Sequence, residues 1–174
     1  MIPGFIISLI TFPGVVIHEL AHKKFCGWTG VRVEKVVYFR LGNPAGYVIH
    51  EEPKNYSQIF WVSVGPLIIN SLVAIILVVP AVLFKNIQVL SAVLAWVAIS
   101  AGMNSFPSNQ DMKNVWQASK KAIKNGGNVL YYLAFPFVAL IWIANLLKFF
   151  WFDLIYTVLL VLAGVGIANY LLSI

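Results

Sequence analysis

The stretch "VVIHELAHKKF", residues 15 to 25, sets His18, Glu19 and His22 inside an otherwise apolar run. His18-Glu19-Leu20-Ala21-His22 is an HExxH motif. On a helix the two histidines fall one turn apart on the same face, so their imidazoles can share one metal ion. Glu19 lies about 100° round the helix from His18. It borders the metal face and is placed to act as a general base on a metal-activated water. Ionisable groups are costly in an apolar helix, which gives all three functional weight. The bland alternative is two histidines pairing with polar groups of neighbouring helices. It accounts for the histidines and leaves Glu19 unexplained.

The elements that must position these residues follow from composition. The chain of 174 residues is 60% hydrophobic and 10% charged. Ordinary soluble domains are about half apolar and a quarter charged, so the composition is that of a membrane protein. One cysteine excludes an internal disulfide. The net charge of +6 is not laid out as a basic helix or an aromatic-basic face, so no nucleic-acid partner is expected. The opening "MIPGFIISLI" lacks a positive n-region and a small-residue cleavage pattern, so the first apolar segment is expected to stay in the mature protein.

A spanning helix needs about 20 mostly apolar residues. The segments that qualify are 3–25, 58–84, 88–104, 129–147 and 154–173. Pro66 and Pro80 predict a tilt or kink in the second. The Val- and Tyr-rich stretch after residue 30, with a turn at Gly42-Asn43-Pro44, predicts a β-hairpin over about 31–40 and 46–50. Residues 111–124 predict a short surface helix, with Val115, Trp116, Ala118 and Ile123 turned to lipid or core and the lysines to water. The whole reads as one all-α membrane domain, 1–174, with about five transmembrane helices and a β-hairpin between the first two.

Charge asymmetry gives an orientation. Ten of the twelve basic residues lie in the polar stretches 26–57 and 105–128 or just before them, against only Lys85 and Lys148 in the short turns 85–87 and 148–153. The positive-inside rule then predicts a multi-pass protein of the cell membrane. Its amino terminus is outside, and both polar stretches and the carboxyl terminus are cytoplasmic.

Zinc needs a third protein ligand and an open position. Cys26 lies about 12 Å along the axis from His18 on a straight helix, too far to share an ion. His50, Glu51 and Glu52 in the hairpin region could fold back. Asp153 belongs to a turn expected at the outer face, remote from the motif. Asp111, in "NSFPSNQDM", fits by depth. His18 is roughly 22 Å along its helix from the outer end. The third segment runs the same way and ends near Asn104, at a matching level. Non-helical backbone is tolerated there when it is buried in protein or lines a water-filled cavity.

These residues together carry a resemblance. The chain resembles the site-2 protease family of intramembrane zinc metalloproteases. HExxH at His18, Glu19 and His22, and the Asn-x-x-Pro stretch at Asn104 and Pro107 leading to Asp111, match its motifs. Gly65-Pro66 followed by Asn70, and the hairpin between the first two motif helices, match its order of elements. The resemblance covers about residues 5–113. The chain has Gln-Asp-Met where the family usually has Leu-Asp-Gly, three residues between Pro107 and Asp111 where four are usual, and Asn70 one position late. This points to a small, divergent zincin branch.

The resemblance implies one zinc ion held by His18, His22 and Asp111, with Glu19 as general base. The reaction it implies is hydrolysis of peptide bonds within or near the bilayer, in a membrane-protein or membrane-associated substrate. Asn104 is a candidate for the substrate backbone or the developing oxyanion, or else a cap. Gly46, Tyr47, Val48 and Ile49 are a candidate strand edge on which an extended substrate adds by backbone pairing. Asn70 is a substrate candidate or a cross-helix pair. A serine type lacks its Gly-x-Ser-Gly stretch, and a two-aspartate type needs two core aspartates, where the chain has only Asp111 and Asp153, expected on opposite faces. The rival of another class is a non-catalytic metal-binding membrane protein or pseudoprotease.

Overall fold

The computed structural model describes residues 4–174, with side-chain surroundings from residue 6 onward. The first apolar segment is two helices, α1 (Gly4–Ile10) and α2 (Phe12–Thr29), where the sequence predicts one over 3–25. Pro13 stands in the first turn of α2, where its missing N–H removes no helical bond. Thr11 breaks the run, and its hydroxyl donates to the Ile7 carbonyl at 2.8 Å. α2 runs past residue 25 and stops at Gly30, which has a left-handed φ of 72°. The Val31 N–H closes the cap by donating to Cys26 O at 2.8 Å.

The hairpin is present and shorter than its sequence signal. β1 (Val33–Val37) and β2 (Tyr47–His50) pair antiparallel, with Val37 opposite Tyr47 and an irregularity between Val33 and Lys35. Residues 38–46 form the tip, where Arg40 Nε donates to Pro44 O at 2.9 Å.

α3 (Tyr56–Leu83) is the spine, and Pro66 and Pro80 both lie within it. α2 packs antiparallel to its first half: Gln58 Nε2 donates to Thr29 O at 2.9 Å, and Gly65 leaves room for the Phe25 ring. α4 (Gln88–Met103) returns along α3, with Ser91 Oγ donating to Ala81 O. α2 and α4 touch backbone to backbone at Gly14, where a Cβ would sit 1.8 Å from Ser100 O. Asn70 is the staple of this junction. It is fully buried, and its Nδ2 lies 3.0–3.2 Å from the carbonyls of Gly14, Ala101 and Asn104.

α5 (Asn109–Lys124) starts two residues before its sequence-predicted limit because Ser108 caps it. It stands against the first half of α3, with Ser119 Oγ 3.1 Å from Tyr56 Oη, and α6 (Val129–Leu147) runs back along it. Trp116 stacks between Phe135 and Trp142, while Lys113, Lys120, Lys121 and Lys124 remain exposed.

The last part takes another course than the expected alternation of helices. After a single 3-10 turn, Lys148–Phe150, the chain does not reverse. α7 (Phe152–Leu172) runs parallel to α3: Tyr156 pairs with Ser71, and eight residues on, Gly164 meets Val78. Residues 148–153 are therefore not a turn at the far face. They sit midway along the bundle, with Lys148 Nζ 3.0 Å from Pro107 O. The carboxyl-terminal end of α7 lies toward the end of α3 opposite the hairpin. The sequence expectation sets the carboxyl terminus on the side of residues 26–57; in the bundle it lies at the opposite end of α3. The physical reason is Trp151, whose φ of 61° turns the chain enough to start a new helix without sending it back.

Three helical stretches are long and apolar enough to cross a membrane: Tyr56–Leu83, Val129–Phe150 and Phe152–Leu172. α4 is apolar with 16 residues, and α2 carries Glu19, Lys23 and Lys24 besides its histidines. Large apolar side chains on α6 and α7, among them Leu133, Leu140 and Leu162, face outward, as they do in a protein surrounded by lipid.

Candidate metal centre

The middle of α2 is buried on the side that carries His18, Glu19 and His22, with exposures of 9%, 7% and 7%. The two imidazoles stand 4.9 Å apart, centroid to centroid, as one helical turn dictates. His18 Nδ1 donates to the Asn104 carbonyl at 2.7 Å. That bond fixes the tautomer and leaves Nε2 as a free lone pair, the arrangement that orients metal-binding histidines.

Asp111 arrives from another direction. α4 ends at Met103, and residues 104–108 form an irregular strap, with Ser105, Phe106 and Pro107 buried. Ser108 then caps α5: its Oγ accepts from the Asp111 N–H at 3.1 Å and donates to Asp111 Oδ2. This reciprocal cap holds the carboxylate in the first turn of the helix. Asp111 Oδ2 lies 3.4 Å from His22 Nε2.

The ligand atoms of His18, His22 and Asp111 all lie within 4.8 Å of one another, the one such group among the described residues. Zinc–ligand bonds of about 2.0–2.1 Å place tetrahedral donors roughly 3.4 Å apart. The His22–Asp111 spacing already has that value, and no pair needs a closure of more than about 1.4 Å. Two imidazoles, one of them preset by a carbonyl, and one anchored carboxylate are a donor set that fits zinc. No family model, curated protein or solved structure matches the chain.

Two cavities, of about 540 and 450 Å³, meet at His18 and Glu19. The hairpin roofs both. Gly46 is packed so closely that a Cβ there would lie 2.7 Å from Glu19 Cγ and 2.9 Å from Tyr38 O. Gly46, Tyr47 and Val48 line the second cavity together with His22 and Asp111, while Ile49 alternates outward and is exposed. β2 pairs with β1 alone among the described residues, so its other edge is unpaired. A third cavity, of about 330 Å³, adjoins at His50 and Asp111.

The remaining sequence candidates divide. Asn104 lines the larger cavity, but its Nδ2 donates to Ser100 O at 2.9 Å and Thr11 Oγ1 at 3.0 Å. It is the residue that ends α4, and its carbonyl orients His18. Asn70 lines none of the three cavities and works as a staple between helices. Cys26 packs in a cluster with Val31 and Val62, outside the ligand group. Asp153, which the sequence reading sets at a remote face, lines the cavity that holds His18 and Glu19, and so does Lys148. The signal for both was available in the sequence. They are the only Asp, Glu, Lys or Arg residues after Lys124, set in an otherwise apolar run.

Proposed function

We propose that the protein is an intramembrane zinc metalloendopeptidase, similar to the site-2 proteases, that hydrolyses peptide bonds of membrane proteins or membrane-associated peptides. The observation that carries this reading is the convergence of His18, His22 and Asp111 within 4.8 Å, with Glu19 on the adjoining helical position and facing the same cavities. In this reading the bilayer holds α2, α3, α4, α6 and α7. The basic residues between Lys23 and Lys54 and those of α5 face the cytoplasm, and the amino terminus faces outside. The carboxyl terminus, which follows the direction of α3, then faces outside as well.

His18, His22 and Asp111 would hold one zinc ion. Zinc at such a site supplies Lewis acidity and makes water nucleophilic near neutral pH. Glu19 takes the proton of the attacking water and returns it to the leaving amine. The Asn104 carbonyl keeps His18 in its ligating tautomer, and Ser108 keeps Asp111 turned to His22. The free edge of β2, Gly46 to Ile49, offers backbone groups to a substrate segment that has left its helix, drawing it into an extended form beside Glu19. Side chains that alternate along β2 give such a substrate sequence preference.

The test is Glu19→Gln in purified full-length protein. Zinc content and folding should be retained, while cleavage of membrane substrates falls by at least about a hundredfold. Cleavage at the wild-type rate contradicts the mechanism. Zinc bound by both forms with no cleavage of any membrane substrate favours the rival, a metal-binding protein without catalysis.

A further inference from the structure

We propose that Lys148 is a positioning residue of the metal centre. It ties the break between α6 and α7 to the strap that delivers Asp111. The inference rests on the metal site proposed above.

The strap has a local difficulty. Residues 105–107 lie between two helices and are buried, so their carbonyls lack helical donors. Pro107 cannot donate at all. Buried carbonyls without partners destabilise whatever conformation exposes them to each other, and the strap would relax toward another one. Lys148 answers this from across the bundle. Its Nζ lies 3.0 Å from Pro107 O and 3.4 Å from Phe106 O. The same ammonium sits 5.8 Å from the Phe106 ring centroid.

A second bond comes from the last turn of α6, just before Lys148. Asn145, three residues earlier and on the same helical face, donates from Nδ2 to Asn109 Oδ1 at 2.9 Å. The end of α6 and the 3-10 turn that follows it thus grip the chain at residues 106–107 and again at 109. Between them lies Ser108, whose hydroxyl holds the Asp111 carboxylate. The chain of contacts runs from Lys148 and Asn145 to the strap, from the strap to Ser108, and from Ser108 to Asp111.

Placement gives the same answer. A cation in an apolar run costs free energy and is retained where it has partners. Lys148 and Asp153 flank the break, and both line the cavity of His18 and Glu19. Asp153 accepts from the Leu154 N–H at 3.0 Å, at the start of α7. Neither forms an ion pair with the other within 4.0 Å. Lys148 thus hydrogen-bonds strap carbonyls, with no carboxylate oxygen of the described residues within 4.0 Å of it.

The experiment is Co²⁺ titration of the full chain in detergent, read by the visible d–d absorption of the bound ion. Lys148→Met should weaken Co²⁺ binding about ten- to a hundredfold and alter the band shape. Lys148→Arg, which keeps the donors and the charge, should stay near wild type. A role in helix packing alone would lower the thermal stability of metal-free protein without that rescue pattern. Should Lys148→Met not fold, Asn145→Ala removes the other grip and should weaken Co²⁺ in the same direction by a smaller factor. Wild-type Co²⁺ affinity in Lys148→Met, or in Asn145→Ala where Lys148→Met does not fold, overturns the proposal while leaving the metal site standing. A wild-type protein that binds no Co²⁺ overturns both.

Discussion

The two halves of α3 are packed by different chemistry, and Asn70 stands at the boundary. Toward the hairpin, α3 meets aromatic rings and polar side chains: Phe25 on Gly65, Phe25 stacked on Trp61, Tyr56 on Ser119. Toward the other end it meets small residues. Ala74 clusters with Ala101 and Leu160, and Gly164 sits where a Cβ would be 2.7 Å from Val78 Cβ and 3.0 Å from Ile75 O. Close backbone approach through small residues is how helices associate in lipid, where apolar burial gives little drive. Large rings and polar groups cannot close up in that way. They leave gaps, and all three cavities open along the hairpin half or at its boundary. The site lies where the packing is loose enough for a substrate, and the small-residue half holds the bundle.

The largest expected effect comes from breaking the small-residue half. Gly164→Leu puts a branched side chain into Val78 and the Ile75 carbonyl. Overpacking of this kind costs about 1–3 kcal/mol, and more where backbone is struck. Thermal unfolding in detergent should show a loss of about 3 kcal/mol or a failure to fold. Gly166→Ala, with open space round its Cβ, is the control and should change little. A Gly164→Leu protein as stable as the control would mean that α7 does not pack on α3 as described.

Next in size is a substitution in the hairpin half that spares the fold. Gly46→Ala presses on Glu19 Cγ and the Tyr38 carbonyl. The hairpin tip can shift, so stability should hold, and the metal ligands are not touched. Glu19 is displaced, however, and displacement of a reacting group by about 1 Å can reduce rate on the order of a hundredfold. Zinc content near wild type with cleavage down by about that factor is the expected pair of results. Reduced zinc with normal cleavage per zinc would show instead that the hairpin supports the ligands and not the base.

How much of this was legible in sequence depends on how local the determinant is. His18 and His22 converge because a helix brings positions four apart together, and that geometry needs no tertiary knowledge. Helix limits came within a few residues because apolar runs end at polar ones. Asp111 was reachable by depth, since α2 and α4 run the same way. Lys148 and Asp153 escape a sequence reading for one reason: it has each apolar segment reverse direction at the next turn. In "LLKFFWFD" the sequence has no Gly or Pro to mark a bend. A 3-10 turn and one left-handed Trp151 let α7 continue the way α6 was going. The sequence offers Asn70 as a cross-helix pair or a substrate contact without naming its partners, because these are backbone carbonyls of α2, α4 and the strap. Carbonyls carry no sequence signal.

The smallest expected effect tests the border of the site on α2 itself. Cys26 is fully buried, eight residues after His18 and four after His22. A thiolate is a good zinc ligand, so its nearness to His22 invites a place in the coordination sphere. The geometry argues otherwise. Eight residues of helix separate His18 and Cys26 by about 12 Å, and the Cys26 side chain packs with Val31 and Val62 where α2 meets β1 and α3. It is a small apolar residue in the aromatic half's packing. Cys26→Ala removes one buried sulfur and should lower stability by about 1 kcal/mol, less than a Leu→Ala truncation because the cavity left is smaller. Zinc affinity should match wild type within a factor of about two, far from the ten- to hundredfold loss that follows when a metal's supporting shell is disturbed. A tenfold or greater fall in zinc affinity would bring Cys26 into the site and require α2 to bend between His18 and its last turn.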